Sequence, residues 1–255
     1  NNHGDANTFG VEPEFGCCTA NMHQGWPKFV SHLWMATPDD GLAAVAYAPC
    51  RVKAKVRGGI EVKIDVETNY PFEDKIKIKT SVPQSASFPM KLRIPAWAVN
   101  PTVEVNGQKQ DAKPGEFLTI EREWKDGDVV ELTFPASIEV ERRFNNSVAI
   151  SRGPLVYSMK IGEKWVKFGG EEPHADYEVY PTTPWNYGLI LDVEHPEKSI
   201  KITTLPMGDP VFSPEGAPIE MKVKGKIVPE WQMQHHAAGI LPQSPIASDE
   251  PVEEL

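Results

Sequence analysis

The sequence lacks several features that define special classes of protein. No uninterrupted apolar run approaches the roughly 18 residues that a membrane-spanning helix needs, so we expect no membrane partner. Residues 1–20 lack the basic and then apolar segments of a signal peptide. Three cysteines are too few for a disulfide framework. Positive charge is also scarce, with 26 Lys and Arg against 36 Asp and Glu, and the net charge of −10 argues against a nucleic-acid partner.

What is present is the composition of a folded, globular protein. Hydrophobic residues make up 40% and charged residues 24% of the 255 positions. This length suffices for one large domain or for two of ordinary size. Because the chain begins with Asn1 rather than Met, we expect the natural N-terminus to lie upstream. The sequence does not distinguish a periplasmic from a cytoplasmic location.

Alternating apolar and polar residues dominate the first half of the chain. Such a period of two predicts half-buried antiparallel strands. The clearest examples are residues 60–66, 75–79, 91–94 and 128–134. Turn-forming pairs separate the segments: Gly58-Gly59, Asn106-Gly107 and Asp126-Gly127. Many short strands at this spacing predict a mainly β fold built from β-sandwiches.

Residues 20–35 carry the one helical pattern. Apolar residues recur there at steps of three and four, which predicts an amphipathic helix. Pro27 interrupts the pattern, so either the helix kinks or a second helix begins with Pro27 in its first turn. We therefore expect three parts: a loop and helix over 1–38, a first β-sandwich over 39–137, and a second over 138–255, whose tail from Trp231 is extended or partly disordered.

Cys17 and Cys18 are adjacent and precede the predicted helix. Three interpretations are open: inert core residues, a strained disulfide, or thiolates that bind a metal or act as a nucleophile. Unsatisfied N–H groups and the helix dipole at a helix start would lower the thiol pKa, and the thiolate is the reactive form. No CxxC…CxxC spacing supports a metal site.

Seven short motifs occur in order along the chain. They are residues 15–22 (FGCCTANM), 67–71 (ETNYP), 92–97 (LRIPAW), 105–107 (VNG), 124–128 (WKDGD), 151–157 (SRGPLVY) and 184–187 (PWNY). Together they resemble the C-terminal portion of the β-L-arabinofuranosidase family, glycoside hydrolase family 127. The resemblance implies a bacterial, retaining glycosidase with a six-hairpin, (α/α)6 catalytic barrel followed by two β-sandwich domains. The predicted helix would be a remnant of that barrel.

The resemblance also assigns roles to the cysteine pair. It implies that Cys17 is the nucleophile and that Cys17 and Cys18 are two ligands of a zinc ion. The remaining ligands and the general acid/base would lie upstream, so the chain alone would be inactive. The implied substrate is a terminal furanoside of plant cell-wall glycans.

Two other functions remain open. The chain is alternatively a non-catalytic accessory or carbohydrate-binding module, or a thiol-based redox or metal-storage site. The apolar stripe of Trp26, Phe29, Leu33 and Trp34, together with a sheet edge left open after Leu255, predicts self-association through exposed surfaces.

Other polar residues are weaker site candidates. Cys50 is a further candidate zinc ligand, but a structural thiol fits its place after a predicted strand better. Glu12 and Glu14 precede the pair and are candidate ligands, with solvated loop acids as the alternative. Asn21 and His23 are candidate sugar contacts. A local side-chain-to-backbone hydrogen bond is the default for Asn21, and His23 fits equally well as a polar residue on the helix flank.

The remaining candidates have mainly structural interpretations. His235 and His236 would point to opposite sides of an extended segment, which favours a solvated pair over a metal site. Arg152 lies in a predicted turn, where we expect it to pair with an acid. Sugar-stacking is the alternative to a structural role for five aromatic residues: Trp97, Trp124, Trp185, Tyr187 and Trp231.

Overall fold

A computed structural model describes residues 7–10 and 16–255 of the chain. Two short helices are present, α1 (Gly16–Met22) and α2 (Gly25–Ser31), and strands predominate elsewhere, as predicted. In chain order the strands are Thr8–Phe9 (β1), Trp34–Ala36 (β2), Leu42–Ala44 (β3), Cys50–Val56 (β4), Ile60–Thr68 (β5), Lys75–Ser81 (β6), Ala86–Arg93 (β7), Thr102–Val105 (β8), Gln108–Gln110 (β9), Phe117–Trp124 (β10), Val129–Thr133 (β11), Ile138–Arg142 (β12), Val148–Arg152 (β13), Leu155–Tyr157 (β14), Glu163–Gly169 (β15), Asp176–Pro181 (β16), Tyr187–Leu189 (β17), Ile200–Thr204 (β18), Ile219–Ile227 (β19), Met233–Gln234 (β20), Ala237–Ala238 (β21) and Glu253–Glu254 (β22).

The chain divides into two compact units. The sandwich unit comprises Gln24–Ser137 with Arg152–Leu155. The four-sheet unit comprises the described residues up to His23, then Ile138–Ser151 and Val156–Leu255.

The sandwich unit has two sheets. One has the strand order β10-β7-β3-β2, and the other has the order β4-β5-β6-β11-β8-β9. All neighbouring strands in this unit are antiparallel except β3 and β7, which run parallel with Leu42 opposite Met90. The predicted strands at 60–66, 75–79, 91–94 and 128–134 fall on β5, β6, the end of β7, and β11, which confirms the alternation argument.

Alternate residues of both sheets form one apolar core. Ile64 of β5 and Ile78 of β6 are fully buried, as are Phe88 of β7 and Trp124 of β10. The indole Nε1 of Trp124 donates a hydrogen bond to the Phe88 carbonyl at 3.0 Å, so the largest core side chain keeps its polar atom satisfied. The two sheets thus bury their facing sides against each other, the arrangement of a β-sandwich.

The Asn106-Gly107 turn closes the β8–β9 hairpin as predicted. Both residues have positive φ, 50° and 79°, which a two-residue type I′ turn requires. Asn106 also donates from Nδ2 to Asp128 Oδ1 at 2.8 Å, and Asp128 Oδ2 accepts from the Lys125 N–H at 2.9 Å. The carboxylate of Asp128 therefore links this hairpin turn to the connection between β10 and β11.

The single helix predicted over 20–35 is wrong in its extent. The structure instead has α1 and α2, with Pro27 in the first turn of α2, which is one of the two alternatives that the sequence left open.

Leu33 and Trp34 belong to the buried core of the sandwich unit, and Trp34 is the first residue of strand β2. Of the predicted apolar stripe, only Trp26 and Phe29 are exposed, with 68% and 46% of their surfaces accessible to solvent. Whether these helices are the end of an (α/α)6 barrel stays a prediction.

The four-sheet unit contains sheets β1-β16-β15, β12-β13-β14, β17-β19-β18 and β20-β21. Among its described residues, the buried apolar side chains are few: Ala175, Ile200 and Val228. The tail is ordered into the β20–β21 hairpin and β22. Leu255 exchanges backbone hydrogen bonds with Val223 of β19, at 2.8 and 3.1 Å, so the terminal residues pair into the sheet. Self-association stays a prediction.

None of the helices in the described ranges has the length and apolar character that crossing a bilayer requires.

Candidate active site

Cys17 and Cys18 lie in the first turn of α1 with exposed side chains. Their Sγ atoms are 3.6 Å apart, which is within contact distance for a weak S–H···S hydrogen bond but not a disulfide. The Nδ2 of Asn21 donates to the Cys17 carbonyl at 2.6 Å, so the local hydrogen bond expected for Asn21 is confirmed. The exposed position of both sulfurs argues against the inert-core interpretation.

The two thiols influence each other's ionisation. The hydrogen bond with Cys17 and the charge of Cys17 raise the pKa of the Cys18 thiol, with a smaller effect of burial in the same direction. The effect of the helix start on these thiols stays a prediction.

The spacing of the sulfurs fits two ligands of one zinc ion. Two thiolates that each bind a tetrahedral zinc at about 2.3 Å lie about 3.8 Å apart, close to the observed 3.6 Å. Within residues 7–10 and 16–255, however, no group of three or more His, Cys, Asp and Glu side chains is arranged to hold a metal. The described residues would supply two of the four ligands of a tetrahedral zinc site. The candidate ligands Glu12 and Glu14 lie outside the described residues.

Cys50 belongs to the sandwich unit, at the start of β4. Its thiol is partly buried beside the core, and burial raises its pKa, opposed by a hydrogen bond from Trp34. A protonated thiol packed on a sheet has the character of a structural residue. This fits the structural interpretation of Cys50.

The candidate histidines are not arranged as metal ligands within the described part of the chain. The side chain of His23 is exposed just after α1. His235 and His236 do not lie on an extended segment, which corrects our prediction: both have positive φ, 52° and 58°, and form the two-residue loop of the β20–β21 hairpin.

Most of the predicted aromatic candidates have structural contacts. Trp124 is buried, and Trp97 packs against the core within 6.5 Å of Tyr70. Trp185 and Trp231 meet edge to face at 5.1 Å, and Trp231 donates from Nε1 to the Gly239 carbonyl. These contacts favour the structural interpretation over sugar-stacking.

Tyr187 and Arg152 pair with acids. The hydroxyl of Tyr187 donates to the Glu253 carboxylate at 2.7 Å, and this bond raises the pKa of the tyrosine. Arg152 lies 3.3 Å from the half-buried carboxylate of Asp74, which confirms the ion pair predicted for this turn.

A further cluster of aromatic residues was not predicted from the sequence. Phe9, Trp165 and Tyr177 meet on the sheet formed by β1, β16 and β15. The sequence of β15, EKWVKFG, has no clear period of two that would indicate a strand, and the pairing of Phe9 with Tyr177 joins distant parts of the chain.

The outer face of the six-stranded sheet carries a charged groove of about 510 Å³. Across it run Glu67, Lys77, Glu131 and Glu104, which are successive cross-strand neighbours. Opposite charges meet at the first two steps, and Glu131 faces Glu104 at the third. Such rows are typical of a solvated sheet face.

Comparison with known proteins identifies the middle of the chain. Residues 41–136 match the family model described as "Beta-L-arabinofuranosidase, GH127 middle domain". The resemblance to GH127 is confirmed. This GH127 match contains four of the seven motifs, those at 67–71, 92–97, 105–107 and 124–128, and it lies within the sandwich unit. The cysteine pair precedes it.

Two solved structures share the fold over nearly the whole chain. Ara127N-Se, a GH127 β-L-arabinofuranosidase from Geobacillus stearothermophilus T6, has 24% identity and a TM-score of 0.59, covering 94% of this chain and 34% of its own. A structure described as a glycoside hydrolase has 21% identity and a TM-score of 0.56, covering 96% and 36%. The chain thus spans about a third of the length of either structure. No curated protein matches it.

Proposed function

We propose that this chain is the β-rich portion of a retaining glycoside hydrolase of the β-L-arabinofuranosidase kind, acting on terminal furanosides of plant cell-wall glycans. The observation that carries the proposal is a pair of exposed thiols 3.6 Å apart, in a chain whose residues 41–136 match the GH127 middle domain. Both solved structures with the same fold are described as glycoside hydrolases or arabinofuranosidases.

In the proposed reaction Cys17 is the nucleophile. Its thiolate attacks the anomeric carbon and the glycosidic C–O bond breaks, while an acid protonates the leaving oxygen. Water then displaces the sulfur with the same residue acting as base, so the configuration is retained. The family resemblance implies that this acid/base lies upstream, which is why we expect the chain alone not to turn over.

Cys18 would act beside the nucleophile as a metal ligand. The 3.6 Å spacing suits Cys17 and Cys18 as two thiolate ligands of zinc. When bound there, zinc would keep both sulfurs ionised and stabilise the sulfur of Cys17 as a leaving group. A bound cation would oppose the effect of Cys17, whose hydrogen bond and charge raise the pKa of the Cys18 thiol.

A nucleophile variant tests the proposal in the full-length protein that carries the barrel. Cys17→Ser should lower kcat on a β-L-arabinofuranoside by at least about a thousandfold, since loss of a nucleophile removes the covalent step. Cys50→Ser is the matched control and should keep activity within about twofold. Trapping a glycosyl adduct on Cys17 by mass spectrometry would support the assignment. Undiminished turnover by Cys17→Ser with zinc still bound would end it.

An accessory, carbohydrate-binding role is the second candidate function. The aromatic cluster of Phe9, Trp165 and Tyr177 favours it, because the faces of such rings suit sugar recognition and two of the three rings are exposed. Glycan binding by a full-length protein that does not hydrolyse the same glycan would support this role.

A further inference from the structure

The aromatic cluster lies on one face of a three-stranded sheet. Phe9 is paired with Tyr177, and Tyr177 is paired with Lys167, two residues along β15 from Trp165. Residues opposite each other, and residues two apart, share a face of the sheet. The rings of Phe9 and Trp165 meet edge to face at 5.2 Å, and those of Trp165 and Tyr177 at 5.7 Å.

Two of these rings are open to solvent although they are large and apolar. Phe9 is 61% and Trp165 45% exposed, while Tyr177 is half-buried beside them. Edge-to-face contacts fix the rings relative to one another, so little side-chain entropy remains to be lost when a ligand covers them. A rigid, exposed aromatic surface is the type of feature that marks a binding site.

Carboxylates accept hydrogen bonds from the polar atoms of two of the rings. Trp165 donates from Nε1 to Glu163 Oε2 at 2.8 Å, and the hydroxyl of Tyr177 donates to Glu172. Each ionised carboxylate has about four acceptor positions, so one bond to a ring leaves acceptor capacity for a ligand hydroxyl. Glu171 adds a third acid, 3.5 Å from Lys167.

We infer that the surface formed by Phe9, Trp165 and Tyr177, with Glu163 and Glu172 at its rim, binds a neutral oligosaccharide. A sugar ring offers an apolar C–H face that covers aromatic carbon and hydroxyl donors that reach carboxylate acceptors. The acidic rim and the net charge of −10 oppose polyanions and anionic lipid surfaces.

A peptide added as an extra strand fits this sheet poorly. One edge strand, β1, has only two residues. The other, β15, has a register irregularity between Lys167 and Gly169 and carries Lys164 and Lys167, features that block strand addition. Recognition is therefore expected through the aromatic face rather than the sheet edge.

Titration of the 255-residue chain with a neutral arabino-oligosaccharide of about five sugars tests the inference, with affinities for an exposed site expected in about the millimolar range. We expect saturable binding by NMR or calorimetry that Trp165→Ala weakens at least about tenfold and Glu163→Gln weakens less. Phe144→Ala removes another exposed aromatic of the same unit and should leave affinity within about twofold. A charged oligogalacturonide of equal length should not bind.

The inference rests on the proposed function only for its choice of arabinose as the sugar. Binding to the chain and hydrolysis by the full-length protein are separate measurements, so either can fail alone. No saturation by the oligosaccharide, or equal affinity in Trp165→Ala with an unchanged circular dichroism spectrum, would overturn it. A concentration-dependent dimer that Trp165→Ala abolishes would show instead that a second copy of the chain occupies this face.

Discussion

The Sγ atoms of Cys17 and Cys18 lie 3.6 Å apart on a helical turn, close enough for ionisation of one sulfur to oppose ionisation of its neighbour. The same closeness is what two ligands of one metal need. Repulsion therefore disfavours the state in which both sulfurs are free thiolates, whereas the same spacing suits two thiolates that bind one metal ion.

Removing Cys17 should make Cys18 more acidic. The hydrogen bond with Cys17 and the charge of Cys17 raise the pKa of Cys18, so Cys17→Ala in the metal-free chain should move it back towards the ordinary cysteine value. The pH dependence of alkylation by iodoacetamide, followed by mass spectrometry in a Cys50→Ser background, measures the shift. Asn21→Ala serves as a control that perturbs the same turn without removing a sulfur. Superimposable pH profiles with and without Cys17 would contradict the coupling.

Zinc binding should depend on both neighbouring thiols. We expect Cys18→Ala to weaken zinc binding by the chain at least about tenfold, and Cys50→Ser to leave it unchanged, because the Cys50 thiol packs against the sandwich core and burial raises its pKa. Binding should also release protons, since the ligands must be thiolates. Competition with a chromophoric chelator and calorimetry in two buffers measure both effects. Equal zinc affinity after loss of Cys17 and Cys18 together would rule this site out.

Asp128 should make the sandwich unit sensitive to acid. Burial opposes its ionisation, but hydrogen bonds from the Lys125 N–H and Asn106 Nδ2 and the charge of Arg122 outweigh that effect and lower its pKa. A carboxyl whose pKa is lower in the folded state contributes stability above its unfolded value of about 4, and this is lost as the pH falls through the folded value.

Asp128→Asn should therefore destabilise the chain by about 1–3 kcal/mol at pH 7, because charge-assisted hydrogen bonds are lost. It should also lose less stability than the wild type between about pH 4 and pH 2. Urea unfolding across this range provides the measurement, with Asp111→Asn, at an exposed position, as the control. Parallel pH curves for Asp128→Asn and the wild type would refute this role.

Period-two patterning predicted four of the strands of the sandwich unit, β5, β6, the end of β7, and β11. Ile64 and Ile78 alternate with polar neighbours because β5 and β6 each bury one face against the second sheet. The I′ turn at Asn106-Gly107 was predictable for the same local reason, since few residues accept positive φ.

The helix and the aromatic cluster depend on distant partners. Leu33 and Trp34 fit a helical stripe, but pairing of β2 with β3 and burial in the sandwich core override the local pattern. Phe9 lies opposite Tyr177 only because β1 pairs with β16. Neither the burial of Trp34 nor the exposure of Trp165 is encoded within a short window of sequence.

The His235-His236 loop offers a stabilising substitution. Both residues have positive φ in a two-residue hairpin loop, a conformation that an Asn-Gly pair adopts with less strain. The double change His235→Asn with His236→Gly should therefore raise the free energy of local opening by about 1 kcal/mol. Amide hydrogen exchange at Gly239, whose N–H donates to the Gln232 carbonyl at 2.9 Å, reports on this hairpin.

A matched control comes from His195, another exposed histidine of the same unit. Its φ is −133°, so His195→Asn relieves no left-handed strain and should leave exchange at Gly239 unchanged. The ring contact between Trp185 and Trp231 lies beside the hairpin and gives a second readout, because slower local opening should reduce quenching of tryptophan fluorescence by acrylamide. If the double variant exchanges as fast as the wild type, the positive φ values at His235 and His236 do not cost the fold stability.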